Sequence, residues 1–378
     1  MIRIPSYIDH LQPYIAGKPI EELAREKHLT RIVKLASNEN PLGSSPKAIE
    51  AVRKMLTETS RYVDPGSYRL VHALAQKLNK RPEQIICGSG VDALLGYIIK
   101  GCTAEGDEVL TSEGTFIGIY VNTRKHHRNL VQVPLHNYGF DLAGILEAVT
   151  PKTRVIYLAN PNNPTGTIFT RSEFESFMAK VTGDILVILD EAYTTYASAD
   201  PSYPNGSLYN NYDNLLVART FSKDYGLAGL RLGYAVAPEY VIRTLYKVKL
   251  PFEPNCLAQE AGIAALDDDE FLRMTIATNA RSLSRMRARF AEIGIDQVPT
   301  HANFILLLMP SEQFAVEFNQ ACLVRGLIVR HVKSFGVPNG IRINSGTDDE
   351  TEFALEVIGD EYTRLKNQTE LHLPGRRH

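Results

Sequence analysis

The chain has 378 residues, a net charge of −2 and 44% hydrophobic residues. That length admits two domains, that apolar share suits a large buried core, and the near-zero charge gives no basis for nucleic-acid binding. Cys87, Cys102, Cys256 and Cys322 are scattered, with no CxxC pair and no metal spacing, which reads as reduced thiols in a cytosolic protein.

Residues 1–45 are rich in Pro, Asn and Ser and read as an extended N-terminal arm that joins the small domain. Their start, "MIRIPSYIDHLQPYIAGKP", lacks the apolar core of a signal peptide, and no run in the chain approaches the ~20 apolar residues that span a bilayer. From 46 to 255 short apolar runs alternate with helical patterns. The runs are "EQIICG", "DEVLTS", "NLVQVPL", "TRVIYLAN", "DILVILD", "NLLVART" and "LRLGYAVA", and the helical patterns include "VDALLGYIIKG" and "RSEFESFMAKV". This alternation predicts an α/β fold: a large domain whose mainly parallel sheet is flanked by helices and buried on both faces. The adjacent His126 and His127 point in different directions on any regular element and read as a solvated pair, not as a metal site.

At "PFEPN", residues 251–255, the pattern breaks. A long helical stretch, "EFLRMTIATNARSLSRMRARFAEIG", is followed by "NFILLLM", a helix at "SEQFAVEFNQACLVRG", then "LIVRHV", "GIRINSG" and a last helix from about Thr351. Residues 256–370 thus read as a smaller α+β domain, and 371–378 as a disordered tail.

Ligands of open α/β sheets bind beyond the carboxyl ends of the strands, so the residues after each run are the candidates. "GSGVDALL" places Gly88 and Gly90 before a helix that starts at Val91, a turn able to cup a phosphate on free N–H groups. Gly88, Gly90 and Ala93 also fit a nicotinamide fingerprint with Glu113 as its acid, and a purely structural turn is the third reading. Phe116 can stack on a planar ring or fill the core. "PNNPTG" is turn chemistry that fixes Asn163 at the sheet edge. Asp190, at the end of an apolar run, needs a partner or its pKa rises, and a cationic ring nitrogen would serve; Tyr193 follows it. A helix cap and a packed tyrosine would explain both equally well.

In "RTFSKDYGLAGLRLGY", Thr220, Ser222 and Arg231 can donate to one phosphate. Lys223 beside them is an amine that nearby cations make nucleophilic. Taken together the groups describe a ligand with a phosphate, a ring, a ring nitrogen, a phenolic oxygen and an aldehyde. That is pyridoxal 5'-phosphate. A nicotinamide cofactor would leave Lys223, Asp190 and Tyr193 idle.

With these residues in place the chain resembles the fold-type I pyridoxal-phosphate aminotransferases, and within them the histidinol-phosphate aminotransferase family. The resemblance runs from "KLASNENPLGSSPKA" through "NPNNPTG", "LDEAY" and "RTFSKDYGLAGLRLGY" to "ANFILL", "GLIVR" and "IRINSGT". It implies that Lys223 is the Schiff-base lysine, that Asp190 pairs with the pyridinium nitrogen, and that Asn163 and Tyr193 bind the ring hydroxyl while Phe116 stacks on the ring. Gly90, the N–H groups of Val91 and Asp92, Ser222 and Arg231 would hold the phosphate. Arg342 matches an arginine for the substrate α-carboxylate and Arg330 a second substrate-binding arginine. Tyr62 matches a tyrosine donated across a homodimer interface. Val63, Gly114 and Glu253 stand where the family usually has Pro, Pro and Asn, and Glu253 bears on substrate identity. The implied reaction takes histidinol phosphate and 2-oxoglutarate to imidazole acetol phosphate and glutamate, in histidine synthesis and without a metal. An aromatic or specialised-pathway aminotransferase, and a decarboxylase on the same scaffold, are the alternatives.

Overall fold

The computed structural model describes residues 2–11, 20–27, 29–204 and 212–371; most of the expected tail lies outside them. Where the sequence reads as an extended arm, short helices span Ser6–Asp9 and Ile20–Lys27. Leu23 is the one buried side chain of the second helix, so an apolar period does not reveal it. Strand β1 (Val33–Lys34) follows.

Each of the seven apolar runs between 83 and 237 supplies one strand of a single sheet. These are β2 (Ile85–Gly88), β3 (Glu108–Ser112), β4 (Asn129–Val133), β5 (Thr153–Ala159), β6 (Leu186–Asp190), β7 (Leu215–Thr220) and β8 (Gly233–Val236). Their order is β2-β8-β7-β6-β5-β3-β4. β8 runs antiparallel to both neighbours, and the remaining pairs are parallel.

Both faces of the sheet are covered, which is why its central strands are apolar without alternation. Tyr157, Ala159, Ile188 and Ala218 pack on one side against Leu94, Leu95, Ile98 and Ile99 of the helix Val91–Cys102. On the other side Ile156, Leu158, Val187 and Leu189 pack against Phe174, Phe177 and Met178. Each Val, Leu, Ile, Phe or Met side chain fully withdrawn from water contributes about 1.5–3 kcal/mol. The helix Cys256–Leu266 joins Pro46–Met55 and Tyr68–Leu78 in the core beside β2 and β8, so we draw the division between the two bodies after Leu266.

The smaller body contains β9 (Asp296–Gln297), β10 (Phe304–Leu308), β11 (Leu327–Ile328), β12 (Arg330–His331) and β13 (Gly340–Asn344). Four of these form an antiparallel sheet in the order β12-β13-β10-β9, while β11 pairs in parallel with β1. Val33 and Leu35 enter its core alongside Met286, Phe290, Phe318, Ile343 and Ile358. Three helices, Asp269–Glu292, Glu312–Val324 and Asp348–Leu371, pack on this core. Side-chain caps by Asp268 and Ser311 start the first two, each a feature worth about 1 kcal/mol. The last begins three residues before the expected Thr351. Its first turn is Asp348, Asp349 and Glu350, which apolar periodicity does not detect but which the positive helix end favours. Among the described residues no helix is long and apolar enough to cross a membrane.

Candidate active site

A cavity of about 280 Å³ opens at the carboxyl edge of the large sheet, where the smaller body faces it. Val91, Asp92, Phe116, Asn163, Asp190, Tyr193, Thr220, Ser222, Lys223, Arg231, Arg330 and Arg342 all line it. Residues more than 250 positions apart in sequence thus converge, because the strands that carry them end at one edge or close over it.

The anion end is built on backbone. Gly90 caps the helix Val91–Cys102 with φ at +84°, a conformation that glycine adopts without strain. A Cβ on Gly90 would lie 2.7 Å from Nη2 of Arg231, and one on Gly233 would lie 2.9 Å from the nitrogen of Val91. The glycines therefore let a helix N-terminus and a guanidinium share one small space. Thr220 Oγ1 donates to Ser222 Oγ at 2.9 Å and accepts from the Ser222 N–H at 3.1 Å, fixing that turn.

Lys223 reaches the cavity and donates from Nζ to the carbonyl of Ser37 at 3.1 Å. Although its surface touches the cavity, protein encloses it. That enclosure lowers its pKa to about 8, assisted by the charge of Arg342 and opposed by Glu39. Asp190 ends β6 and is buried. Its Oδ2 accepts from Tyr157 Oη at 2.7 Å and its Oδ1 from the Ala192 N–H at 3.0 Å. Burial raises its pKa to about 6, against the pull of those two donors. No lysine, arginine or histidine among the described residues forms an ion pair with it. Tyr193 Oη accepts from Asn38 Nδ2 at 2.8 Å, and burial raises its pKa. Phe116 both lines the cavity and packs on the core, so its two readings hold together.

The smaller body supplies two arginines. Arg330 and Arg342 are directly opposed in the antiparallel register of β12 and β13, which puts both side chains on one face of that sheet. The ring of Phe335 lies near both, with guanidinium carbons 5.9 Å and 5.7 Å from its centroid. Arg342 donates to the carbonyl of Ala36 at 2.8 Å and to Oδ1 of Asn163. Two like charges side by side cost energy that an anion between them recovers.

Tyr62 lies apart from this cavity. It is 84% exposed and stacks on Phe252 with ring centroids 4.4 Å apart. Glu253 does not line the cavity either; its carboxyl bonds Ser89, in the turn that holds Gly90. Sequence reasoning missed Tyr157, Asn38, Ser37 and Phe335. Tyr157 sits in an apolar strand, where a phenol reads as core. Ser37 contributes through backbone, which no side-chain pattern marks.

The chain matches the model of aminotransferase class I and II over residues 30–358. It belongs to that family. The class I and II aminotransferases similar to it include histidinol-phosphate aminotransferase 2 of Hydrogenovibrio crunogenus, 43% identical over 93% of this chain and 94% of the relative. The protein of the same name from Haemophilus influenzae is 40% identical over 91% of this chain and 94% of its own. Among solved structures, histidinol-phosphate aminotransferase from Sinorhizobium meliloti in complex with pyridoxal-5'-phosphate superimposes with a TM-score of 0.89 at 29% identity, covering 97% of this chain and 99% of that one. A Thermus thermophilus aspartate aminotransferase, at 22% identity and a TM-score of 0.84, has the same fold over 97% of this chain and all of its own.

Proposed function

We propose that this aminotransferase transfers the amino group of histidinol phosphate to 2-oxoglutarate, giving imidazole acetol phosphate and glutamate for histidine biosynthesis, with pyridoxal phosphate as cofactor. The observation that carries the reading is the opposed pair Arg330 and Arg342 lining one cavity with Lys223, whose enclosure lowers its pKa to about 8. The reaction needs one site for a phosphorylated amine and for a dicarboxylate, and arginine binds both anions in forked geometry. The names of the relatives point the same way.

The residues fit the cofactor. Asp190 is a buried acid with one protein donor on each oxygen and, among the described residues, no ion pair to a lysine, arginine or histidine, and the Gly90 turn leaves room for a phosphate beside Arg231. When bound, pyridoxal phosphate supplies an aldehyde and an electron-accepting ring. Val91 and Asp92 N–H groups, Ser222 and Arg231 would hold the phosphate, Asn163 and Tyr193 the ring hydroxyl, and Phe116 the ring face. Asp190 would keep a proton on the ring nitrogen, so that charge developing at the substrate Cα is stabilised. Lys223, with its pKa lowered to about 8, is suited to take a proton from Cα and return one, because a base poised near the working pH transfers protons best. Arg342 would grip an α-carboxylate, and Arg330 the phosphate of histidinol phosphate.

A substrate panel with purified protein tests the reading: histidinol phosphate, glutamate, phenylalanine and tyrosine as amino donors. The expected result is the highest kcat/KM for histidinol phosphate. A higher value for phenylalanine or tyrosine would overturn it in favour of an aromatic aminotransferase.

The same reading includes a homodimer in the cytoplasm. Tyr62 and Phe252 stack on each other while exposed to solvent, and exposed apolar surface of this kind favours association. Mixing Lys223→Ala chains with Tyr62→Ala chains, under conditions that exchange subunits, restores activity if Tyr62 serves the neighbour's site. Confirmed exchange without recovery, with each parent well below wild type, rules out a shared site.

A further inference from the structure

We propose that Tyr157 is a positioning residue for Asp190, holding that carboxylate ionised and in one orientation towards the ring nitrogen of the cofactor. The inference rests on the cofactor reading above and adds a residue to it. Ala159 of β5 is paired with Asp190 of β6, and Tyr157 lies two residues back, so the phenol and the carboxylate share one face of the sheet. Tyr157 is fully buried. Its O–H donates to Oδ2 of Asp190 at 2.7 Å while the Ala192 N–H holds Oδ1 at 3.0 Å. Each oxygen thereby has one fixed donor from the protein, and the plane of the carboxylate is set.

The surroundings make that donor matter. A carboxylate shut away from water takes up a proton unless donors hold its charge. Asp92, on the helix that caps the phosphate turn, and Glu191, which pairs with Arg219 at 2.7 Å, both push Asp190 towards the neutral form. Tyr193 and Tyr203, from the segment after β6, lie close enough for Asp190 to oppose their ionisation, and Tyr120 lies close to Tyr157. Tyr157 itself stays a donor, since burial and the adjacent Asp190 oppose its ionisation. A neutral Asp190 would present an O–H of its own and could not keep a proton on a ring nitrogen. A phenol that merely satisfied its own hydrogen bond would affect stability and leave the ring proton unchanged.

The test uses wild-type and Tyr157→Phe protein loaded with pyridoxal phosphate labelled with ¹⁵N in the ring. The ring-nitrogen shift is followed from pH 6 to 8, and the Kd for the cofactor is measured by absorbance titration. Wild type should show a protonated nitrogen throughout. Tyr157→Phe should move the signal towards the unprotonated position and weaken binding roughly ten-fold or more, the size expected for losing a hydrogen bond to a charged group. In an Asp190→Asn background the same change should cost less than about two-fold, because the pair acts as a unit. A fully protonated nitrogen in Tyr157→Phe, or equal losses in both backgrounds, would overturn the proposal. If Tyr157→Phe does not fold, 3-fluorotyrosine at position 157, a stronger donor of nearly the same size, must preserve the protonated signal; its loss there counts against the idea. Failure of the cofactor reading looks different, since wild type would then bind no pyridoxal phosphate at all.

Discussion

The carboxyl edge of the seven-stranded sheet and the antiparallel sheet of the smaller body meet over one cavity but build it by different means. On the first, the groups sit at or just beyond strand ends along one edge, and several are held in place: Asp190 by Tyr157 and Ala192, Ser222 by Thr220, and the Gly90 turn by its helix. On the second, strand pairing sets Arg330 and Arg342 side by side, and Arg342 is held further by the Ala36 carbonyl and Asn163. The contrast separates reaction from recognition. On the proposed reading, groups that would hold the cofactor sit at the edge of the large sheet, whose spacing the core fixes, whereas groups that would choose a substrate sit on an antiparallel pair of the smaller body, outside that core.

Substitutions in the two regions should therefore fail differently. Lys223→Ala is the largest: kcat should fall by at least about 10⁴-fold with every donor, because a positioned acid and base is removed outright, while absorbance shows the cofactor retained. A wild-type rate would end the claim that the sheet edge carries the chemistry. Asp190→Asn should slow the single-turnover half-reaction on the order of 10²-fold, as loss of a preorganised charge does, again regardless of substrate. Arg330→Ala should instead be selective. It should lower kcat/KM for histidinol phosphate by roughly 10- to 150-fold, from about 1.5–3 kcal/mol of charge-assisted bonding, and change activity with phenylalanine much less. Arg342→Ala should reverse the order, hurting glutamate more than histidinol phosphate, which has a hydroxymethyl group in place of the α-carboxylate. Equal losses across donors in both variants would erase the division between the regions.

The smallest effect concerns pH. In the cofactor-free protein Lys223 has a pKa near 8 against an ordinary 10.5, so the unfolded chain binds more protons there between pH 8 and 10.5. Stability that this lysine costs is fully missing below pH 8 and returns as pH rises through that window. Lys223→Met should then raise the melting temperature most at pH 7, with the gap to wild type narrowing by pH 9.5. A constant gap would mean that the pKa is not depressed.

The seven strands were legible because a sheet covered on both faces demands unbroken apolar runs, and the sheet-edge residues were legible because each follows such a run. The partner of Asp190 was not, since Tyr157 lies inside a run and only the β5–β6 register brings it there. The opposition of Arg330 and Arg342 was equally hidden. Twelve positions separate them in the chain, and the turn that reverses it, with Gly336 at φ +96°, decides the pairing. The helices at Ser6–Asp9 and Ile20–Lys27 bury too little to leave an apolar period.

The segment that runs from β1 into the cavity has one more consequence. It holds Lys223 through the carbonyl of Ser37 and Arg342 through the carbonyl of Ala36. Main-chain oxygens are the same whatever side chain they accompany. Over evolutionary time residues 36 and 37 can accept exchanges that fit their space, yet the gain or loss of a single residue there would shift both carbonyls along the chain and release the lysine and the arginine together. Tolerance of spelling and intolerance of length should therefore mark this segment in a saturation library that includes single-codon insertions and deletions.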